Sequence, residues 1–242
     1  MRRRFLADEV NGDTAALTGQ NATHVARVLR AKVGQEYEIA AECRVRLGTI
    51  TTVGDERVEF ALGEEISTPD IVPITLVLAI FKFDRFEWAV EKATELGVAR
   101  VVPIVARRTE SHLAQSAMKR VERWRRIAHE ASQQSRRVSP PVIADPVKLK
   151  EALSIEAGLK LVCAESEDQV LPSVIAQERR SKATDLHSVA LAIGPEGGWT
   201  DDEINMFQGA AWLSASLGPT ILRAETAAIA AIAVVASFSV LS

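Results

Sequence analysis

The stretch Ala190-Leu191-Ala192-Ile193-Gly194-Pro195-Glu196-Gly197-Gly198-Trp199-Thr200-Asp201-Asp202-Glu203 constrains the fold more than any other. Its first part is apolar without alternation, as expected of a strand buried on both faces, and such strands belong to parallel sheets covered by helices. The run stops at a glycine-rich elbow. Thr200 then stands as a helix N-cap, with Glu203 three residues on as the other half of a capping box. The same plan recurs at Leu217-Gly218-Pro219-Thr220-Ile221-Leu222-Arg223-Ala224-Glu225-Thr226-Ala227-Ala228: apolar strand, Gly-Pro break, alanine-rich helix. Both elbows are expected at the C-terminal ends of parallel strands, where open α/β sheets hold small ligands. Glycine there lets a backbone approach a ligand closely. The first elbow is neither a Walker loop, since no Gly-Lys-Ser/Thr follows, nor a G-x-G-x-x-G dinucleotide fingerprint.

The chain before the elbows changes its period once. Thr18 to Arg30 reads as a short helix with Val25, Val28 and Leu29 on one face and Arg27 and Arg30 turned to solvent. Glu36–Ile39, Val45–Ile50 and Arg57–Leu62 then alternate apolar and polar residues between turns, the pattern of a small β-barrel. Ser67-Thr68-Pro69-Asp70 is the boundary, giving one domain over 1–68 and a second over 73–242. Beyond it Ile74–Phe81, Val101–Val105 and Leu159–Ser166 are continuous apolar strands, and the strand–helix alternation of a parallel sheet is plain. Asp84 is read as the cap of a helix from Phe86 to Leu96 that Gly97 ends, with Trp88, Val90, Ala93 and Leu96 inward. Leu171–Arg180 is a further helix. Thr226–Leu241 is almost free of polar groups but falls short of a bilayer-spanning length, so it reads as a buried helix of a core, not a membrane anchor.

Charge and cysteine usage exclude other classes. A net charge of −3 argues against a uniformly basic nucleic-acid binder and leaves room for local basic surfaces. Arg2-Arg3-Arg4 forms a basic lead, either a solvated tail or an arm that neutralises phosphates. Lys119 to Arg137 reads as a strongly basic helix with Trp124, Ile127 and Ala131 inward, ended by Ser139-Pro140-Pro141. The two cysteines, Cys43 and Cys163, lie far apart and suit a reducing cytosol. The histidines His24, His112, His129 and His187 show no metal-ligand spacing, so no metal is expected.

The paired elbows, taken with Lys82-Phe83-Asp84-Arg85, Glu91-Lys92-Ala93-Thr94-Glu95-Leu96-Gly97-Val98, Pro103-Ile104 and the Glu130–Arg137 stretch, resemble the SPOUT class of knotted RNA methyltransferases, and within it the RsmE family. The His24–Arg30 segment followed by alternating strands is similar to that family's PUA-like N-terminal barrel. The resemblance implies an α/β chain: a small PUA-like β-barrel followed by a SPOUT domain with a parallel sheet and a C-terminal trefoil knot. It implies a cytoplasmic homodimer that uses S-adenosyl-L-methionine to methylate a uridine N3 in small-subunit (16S) ribosomal RNA, naked or as an assembled particle. The cofactor is then expected against Ala164, Glu165, Ile193, Gly194, Pro195, Glu196, Gly197, Gly198, Leu217, Gly218, Ile221, Leu222, Arg223, Thr226 and Ala227. Arg223 is the candidate for the developing anion, and Glu196 or Glu225 orients the cofactor, holds Arg223 or accepts the proton. RNA is expected at Arg2, Arg3, Arg4, Arg27, Arg30, Lys82, Arg85, Arg136 and Arg137. Phe83 stands where the family usually has glycine, and that departure bears on the shape of the Lys82 loop. Two further readings stay open: a methyltransferase with another RNA target, and a non-catalytic RNA-binding or assembly protein on the same scaffold.

Overall fold

The first sheet begins with β1 (Arg4–Leu6), β2 (Glu9–Asn11) and β3 (Thr14–Thr18). A short helix α1 (Gly19–Thr23) runs into a π-helical turn, His24–Val28, and then come β4 (Glu36–Ala41), β5 (Arg44–Val53) and β6 (Arg57–Glu65). The spatial order is β1-β4-β5-β6-β3-β2, with β1 parallel to β4 and every other pairing antiparallel. The two edges are consecutive in the chain. Ala7 N–H donates to Ala40 O of β4 and Asp8 N–H to Ala16 O of β3, so the chain passes from one edge strand to the other within two residues and the sheet curls into a small half-barrel. Leu17, Ile39, Ile50, Val58 and Phe60 fill the interior. The structure is a computed structural model and describes residues 3–68, 71–182 and 187–239.

The second sheet is built from β7 (Ile74–Ala79), α2 (Phe83–Glu95), β8 (Arg100–Val105), α3 (Ser111–Ser116), α4 (Val121–Gln134), β9 (Val142–Ile143), β10 (Val147–Lys148) and α5 (Leu149–Ala152). β11 (Leu159–Cys163), α6 (Leu171–Lys182), β12 (Val189–Ile193), α7 (Asp201–Gly209), β13 (Leu213–Ala215) and α8 (Ala224–Ser239) complete it. All pairings are parallel, in the order β10-β8-β7-β12-β11-β13, with β9 beside β8. The period of two along each strand divides the core. Ile74, Leu76 and Leu78 pack with Leu191 and Ile193 under α2, α4, α6 and α8. Val77, Ala79, Ala190 and Ala192 face the other way, onto α5 and α7. On α8 the buried apolar positions are Ala224, Ala228, Ala231, Ile232 and Val235, one stripe at helical spacing.

Among the described residues the chain divides into two compact units, 3–68 with 132–140, and 71–131 with 141–239. Within the first unit Val138 packs against Leu6, Ala40 and Val45, and an Arg4 Nη1 donates to Arg136 O at 3.4 Å.

Four details differ from the sequence reading. Val28 is 67% exposed: the π-helical turn holds more residues per turn than an α-helix, which keeps Val25 inward but rotates Val28 out. α2 starts at Phe83 with Lys82 at its N-cap, so Asp84 lies in the first turn and is not the cap. Phe83 is drawn in because its ring packs on Trp124 and carries the Arg120 guanidinium 4.8 Å from its centroid. Trp88 is 45% exposed, and Phe86 and Ala89 fill the inward face instead. The basic helix begins as a 3-10 turn, Ala117–Arg120, and α4 ends at Gln134, where Arg136 turns left-handed (φ 57°) before the prolines. No helix among the described residues is long and apolar enough to cross a membrane. Leu241, placed in the final helix from sequence, lies outside them.

Candidate functional site

Three strand ends converge on one cavity of about 310 Å³ in the second unit. Its walls come from Cys163–Ser166 after β11, Ile193–Trp199 after β12 and Ser216–Leu222 after β13, with Ala224 and Ala227 of α8. This lies within the size of small-molecule sites, and its position at the carboxyl ends of parallel strands is where such sheets bind ligands.

The first elbow is fixed by its own sequence. Gly198 adopts φ 69° and donates its N–H to Pro195 O at 2.8 Å, a turn that a Cβ-bearing residue resists. Trp199 is buried, stacks edge-on with Phe207 and donates Nε1–H to Cys163 O at 3.1 Å, tying this elbow to the end of β11. A Cβ on Gly194 would stand 3.2 Å from the Trp199 indole. Thr200 and Glu203 form the expected capping box. Glu203 is buried, and its Oε1 also accepts the Arg107 N–H at 2.7 Å, joining α7 to the loop after β8. Arg108 in that loop donates through Nη1 to the carbonyls of Gly197 and Trp199. A Cβ on Gly197 would lie 3.2 Å from Arg108 Cδ. The second elbow turns at Gly218 (φ 120°), whose N–H donates to Ser216 Oγ at 3.2 Å.

Beside the cavity Arg85 Nη1 donates to Glu196 Oε1 at 2.6 Å, and Arg85 Nε stands 3.8 Å from Glu225 Oε1. One arginine from the first turn of α2 thus meets a carboxylate from each elbow segment. Glu225 is 5% exposed, and its Oε2 has no hydrogen-bond partner among the described residues. Burial pushes the Cys163 thiol at the end of β11 up to about 12, so it is a neutral thiol and not a nucleophile.

The model of the RNA methyltransferase domain family matches residues 68–236. A ribosomal RNA small subunit methyltransferase E from Rickettsia conorii is 33% identical over 77% of this chain and 74% of its own length. Its counterpart from Synechocystis is 31% identical over 91% and 72%. The chain belongs to the RsmE family. Among solved structures, the Neisseria gonorrhoeae ribosomal RNA small subunit methyltransferase E bound to S-adenosyl methionine superposes with a TM-score of 0.79 at 26% identity, covering 98% of both chains. A Legionella pneumophila methyltransferase in complex with the same cofactor gives 0.78 at 28%, again over 98% of both. The α/β fold with a small N-terminal barrel and an α/β-knot-class domain is therefore that of the RsmE family.

Most of the cofactor candidates line the one cavity: Ala164, Glu165, Ile193 and the Gly194–Gly198 elbow, then Leu217, Gly218, Ile221, Leu222 and Ala227. Arg223 and Thr226 do not line it and are exposed. The RNA candidates fall in both units. Arg3 is exposed; Arg4 pairs with Glu38 at 2.9 Å; Arg27 makes a two-pronged pair with Asp55, which raises its pKa. Arg30, Lys82 and Arg136 are exposed. Arg137 donates Nε–H to Ser139 O, and burial lowers its pKa. Arg2 lies outside the described residues. Sequence reading had no signal for Arg108, because the loop after β8 shows only two adjacent arginines and its neighbours across the cavity are some ninety positions away.

Proposed function

We propose that this RsmE-family chain methylates a uridine N3 in small-subunit ribosomal RNA, using S-adenosyl-L-methionine held in the three-loop cavity. The observation that carries this is the convergence of both elbows on a cavity whose family relatives of known structure are described with that cofactor bound. The residues present fit the group. Ile193, Leu217 and Leu222 give an apolar slot for adenine, loop backbones supply donors and acceptors, and Glu165, Glu196 and Asp201 offset the cofactor's cationic centres.

When bound, the cofactor supplies a methyl on a sulfonium: the N3–CH3 bond forms as the S–CH3 bond breaks, the sulfur keeps the electron pair as a thioether, and the N3 proton leaves to a base. Glu196 is the carboxylate we assign to that proton, because it lines the cavity while Glu225 is buried. Arg85, held by both carboxylates, keeps a fixed positive charge beside the developing uracil anion. The exposed Arg223 is assigned to the negative charge of the target nucleotide. The N-terminal unit is assigned to RNA binding, through Arg2, Arg3, Arg4, Arg27, Arg30, Arg136 and Arg137. Lys82 takes the same role from the second unit. A homodimer is proposed through the small-residue surface of α8 and the half-exposed Trp88 on α2, which packs against it. The proposed setting is the cytoplasm, where ribosomal RNA is available as free RNA or assembled particle.

Nucleoside mapping of small-subunit RNA from cells lacking the gene tests this reading. Loss of a single N3-methyluridine, restored by the wild-type chain and not by Glu196→Gln, is expected. An unchanged methylation map refutes it.

A further inference from the structure

The cavity is lined by three acids, Glu165, Glu196 and Asp201, and among its lining residues Arg108 is the one cation. Arg108 comes from outside both elbows, on the loop after β8. Its Nη1 is engaged by Gly197 O and Trp199 O, which fixes the guanidinium plane at the cavity wall. A guanidinium presents five N–H donors in a rigid fork, and only one of its nitrogens is engaged here. Nε and Nη2 have no acceptor within hydrogen-bond reach among the described residues, and the side chain as a whole is exposed.

Resting on the reading of this cavity as the S-adenosylmethionine site, we propose that Arg108 binds the α-carboxylate of the cofactor's amino-acid end. The charge inventory leads there. The ligand carries a sulfonium, an ammonium and one carboxylate. Glu165 and Asp201 suit the first two, Glu196 is already paired with Arg85, and a carboxylate among these acids is repelled unless a cation meets it. Arg85 is engaged by Glu196 and Glu225, whereas Arg108 is the cation of the lining itself, already oriented, and an arginine–carboxylate pair is a strong charge-assisted contact that rewards its planar fork. The same side chain packs on Gly197, so the absence of a Cβ there is what lets Arg108 reach the wall. Arg108 is thus a specificity-determining residue that separates the intact cofactor from adenosine ligands lacking the carboxylate.

The test is a two-by-two comparison by calorimetry on the full-length protein: S-adenosylmethionine and its decarboxylated analogue, against wild type and Arg108→Gln, with Arg108→Lys as a charge-retaining third form. Wild type is expected to prefer the carboxylated ligand by about tenfold to a hundredfold, the range of one charge-assisted hydrogen-bonded contact. Arg108→Gln should abolish that preference while binding the decarboxylated ligand as wild type does, and Arg108→Lys should restore part of it. A preference that survives Arg108→Gln in a folded protein overturns the proposal. Equal weakening of both ligands also overturns it, because Arg108 then acts only by holding the elbow. Wild type that binds neither ligand refutes the cavity assignment itself, a result distinct from the first two.

Discussion

At the scale of single residues, the site's glycines and its cysteine make different demands. Gly197 has no positive φ, so its constraint is space and not backbone conformation. Gly197→Val puts branched carbon where Arg108 Cδ lies 3.2 Å from a bare Cβ. The neighbour is a flexible side chain on an exposed loop, so the fold accommodates the change by moving Arg108 off the Gly197 and Trp199 carbonyls. The expected outcome is an unaltered circular dichroism spectrum with cofactor affinity lower by at least about tenfold, the size of one lost charged contact. Full affinity in a folded Gly197→Val protein would show that neither the elbow's surface nor the position of Arg108 matters to the ligand. Cys163 gives a second expectation. With its pKa near 12 instead of 9, the thiolate fraction at pH 8 is about one in ten thousand, and thiolate is the reactive form. Iodoacetamide at pH 8 should label the exposed Cys43 and spare Cys163, read by peptide mass spectrometry. Rapid labelling of Cys163 in the folded protein would contradict the burial that raises its pKa.

At the scale of elements, what was legible in the sequence was whatever is set within a few residues. The Thr200–Glu203 box is written in four consecutive positions and forms as read, with Glu203 Oε2 accepting from Thr200 N–H at 2.9 Å and Glu203 N–H donating to Thr200 Oγ1 at 3.3 Å. The unbroken apolar runs became the parallel strands because burial on both faces leaves no room for alternation. The failures came from tertiary partners. Nothing local to Lys82–Phe86 announces that Phe83 will pack on Trp124 and start α2 early. Nor does any spacing rule anticipate the π-helical turn that exposes Val28. The candidate site followed the same division: loop backbones next to the glycines were readable and Arg85 was named for RNA through the family motif, whereas its pairs with Glu196 and Glu225, and the reach of Arg108, span long sequence separations. The capping box also carries a stability expectation. Thr200→Ala removes a side-chain acceptor at the N-cap and costs about 1 kcal/mol, measured by urea unfolding. Glu203→Ala should cost more, because it strips buried acceptors from both Thr200 and the Arg107 N–H. A Glu203→Ala protein as stable as wild type would remove the link we draw between α7 and the loop after β8.

At the scale of the whole molecule, the two compact units are not two consecutive halves of the chain. Residues 132–140 belong with the N-terminal barrel, where Val138 meets Leu6, Ala40 and Val45. Every residue that lines the cavity, from Arg108 to Ala227, belongs to the other unit. A chain beginning at Ile71 therefore keeps the complete cavity and loses the packing partners of 132–140. Its cofactor affinity should stay within about threefold of the full-length value, since no charged contact is removed and one such contact is worth about tenfold or more. The amides of 132–140 should exchange with solvent much faster than in the full chain, because local protection follows buried contacts. Methyl transfer to ribosomal RNA should fall steeply, because the assigned RNA grip is gone and a base not held in place forfeits the advantage of proximity. Calorimetry, hydrogen exchange and a methyl-transfer assay on the same preparation separate these effects. Intact cofactor binding with intact methyl transfer would show that the barrel is dispensable for catalysis. Lost cofactor binding with fast exchange confined to 132–140 would show instead that this segment supports the cavity, and the assignment of cofactor and RNA to separate units would fail.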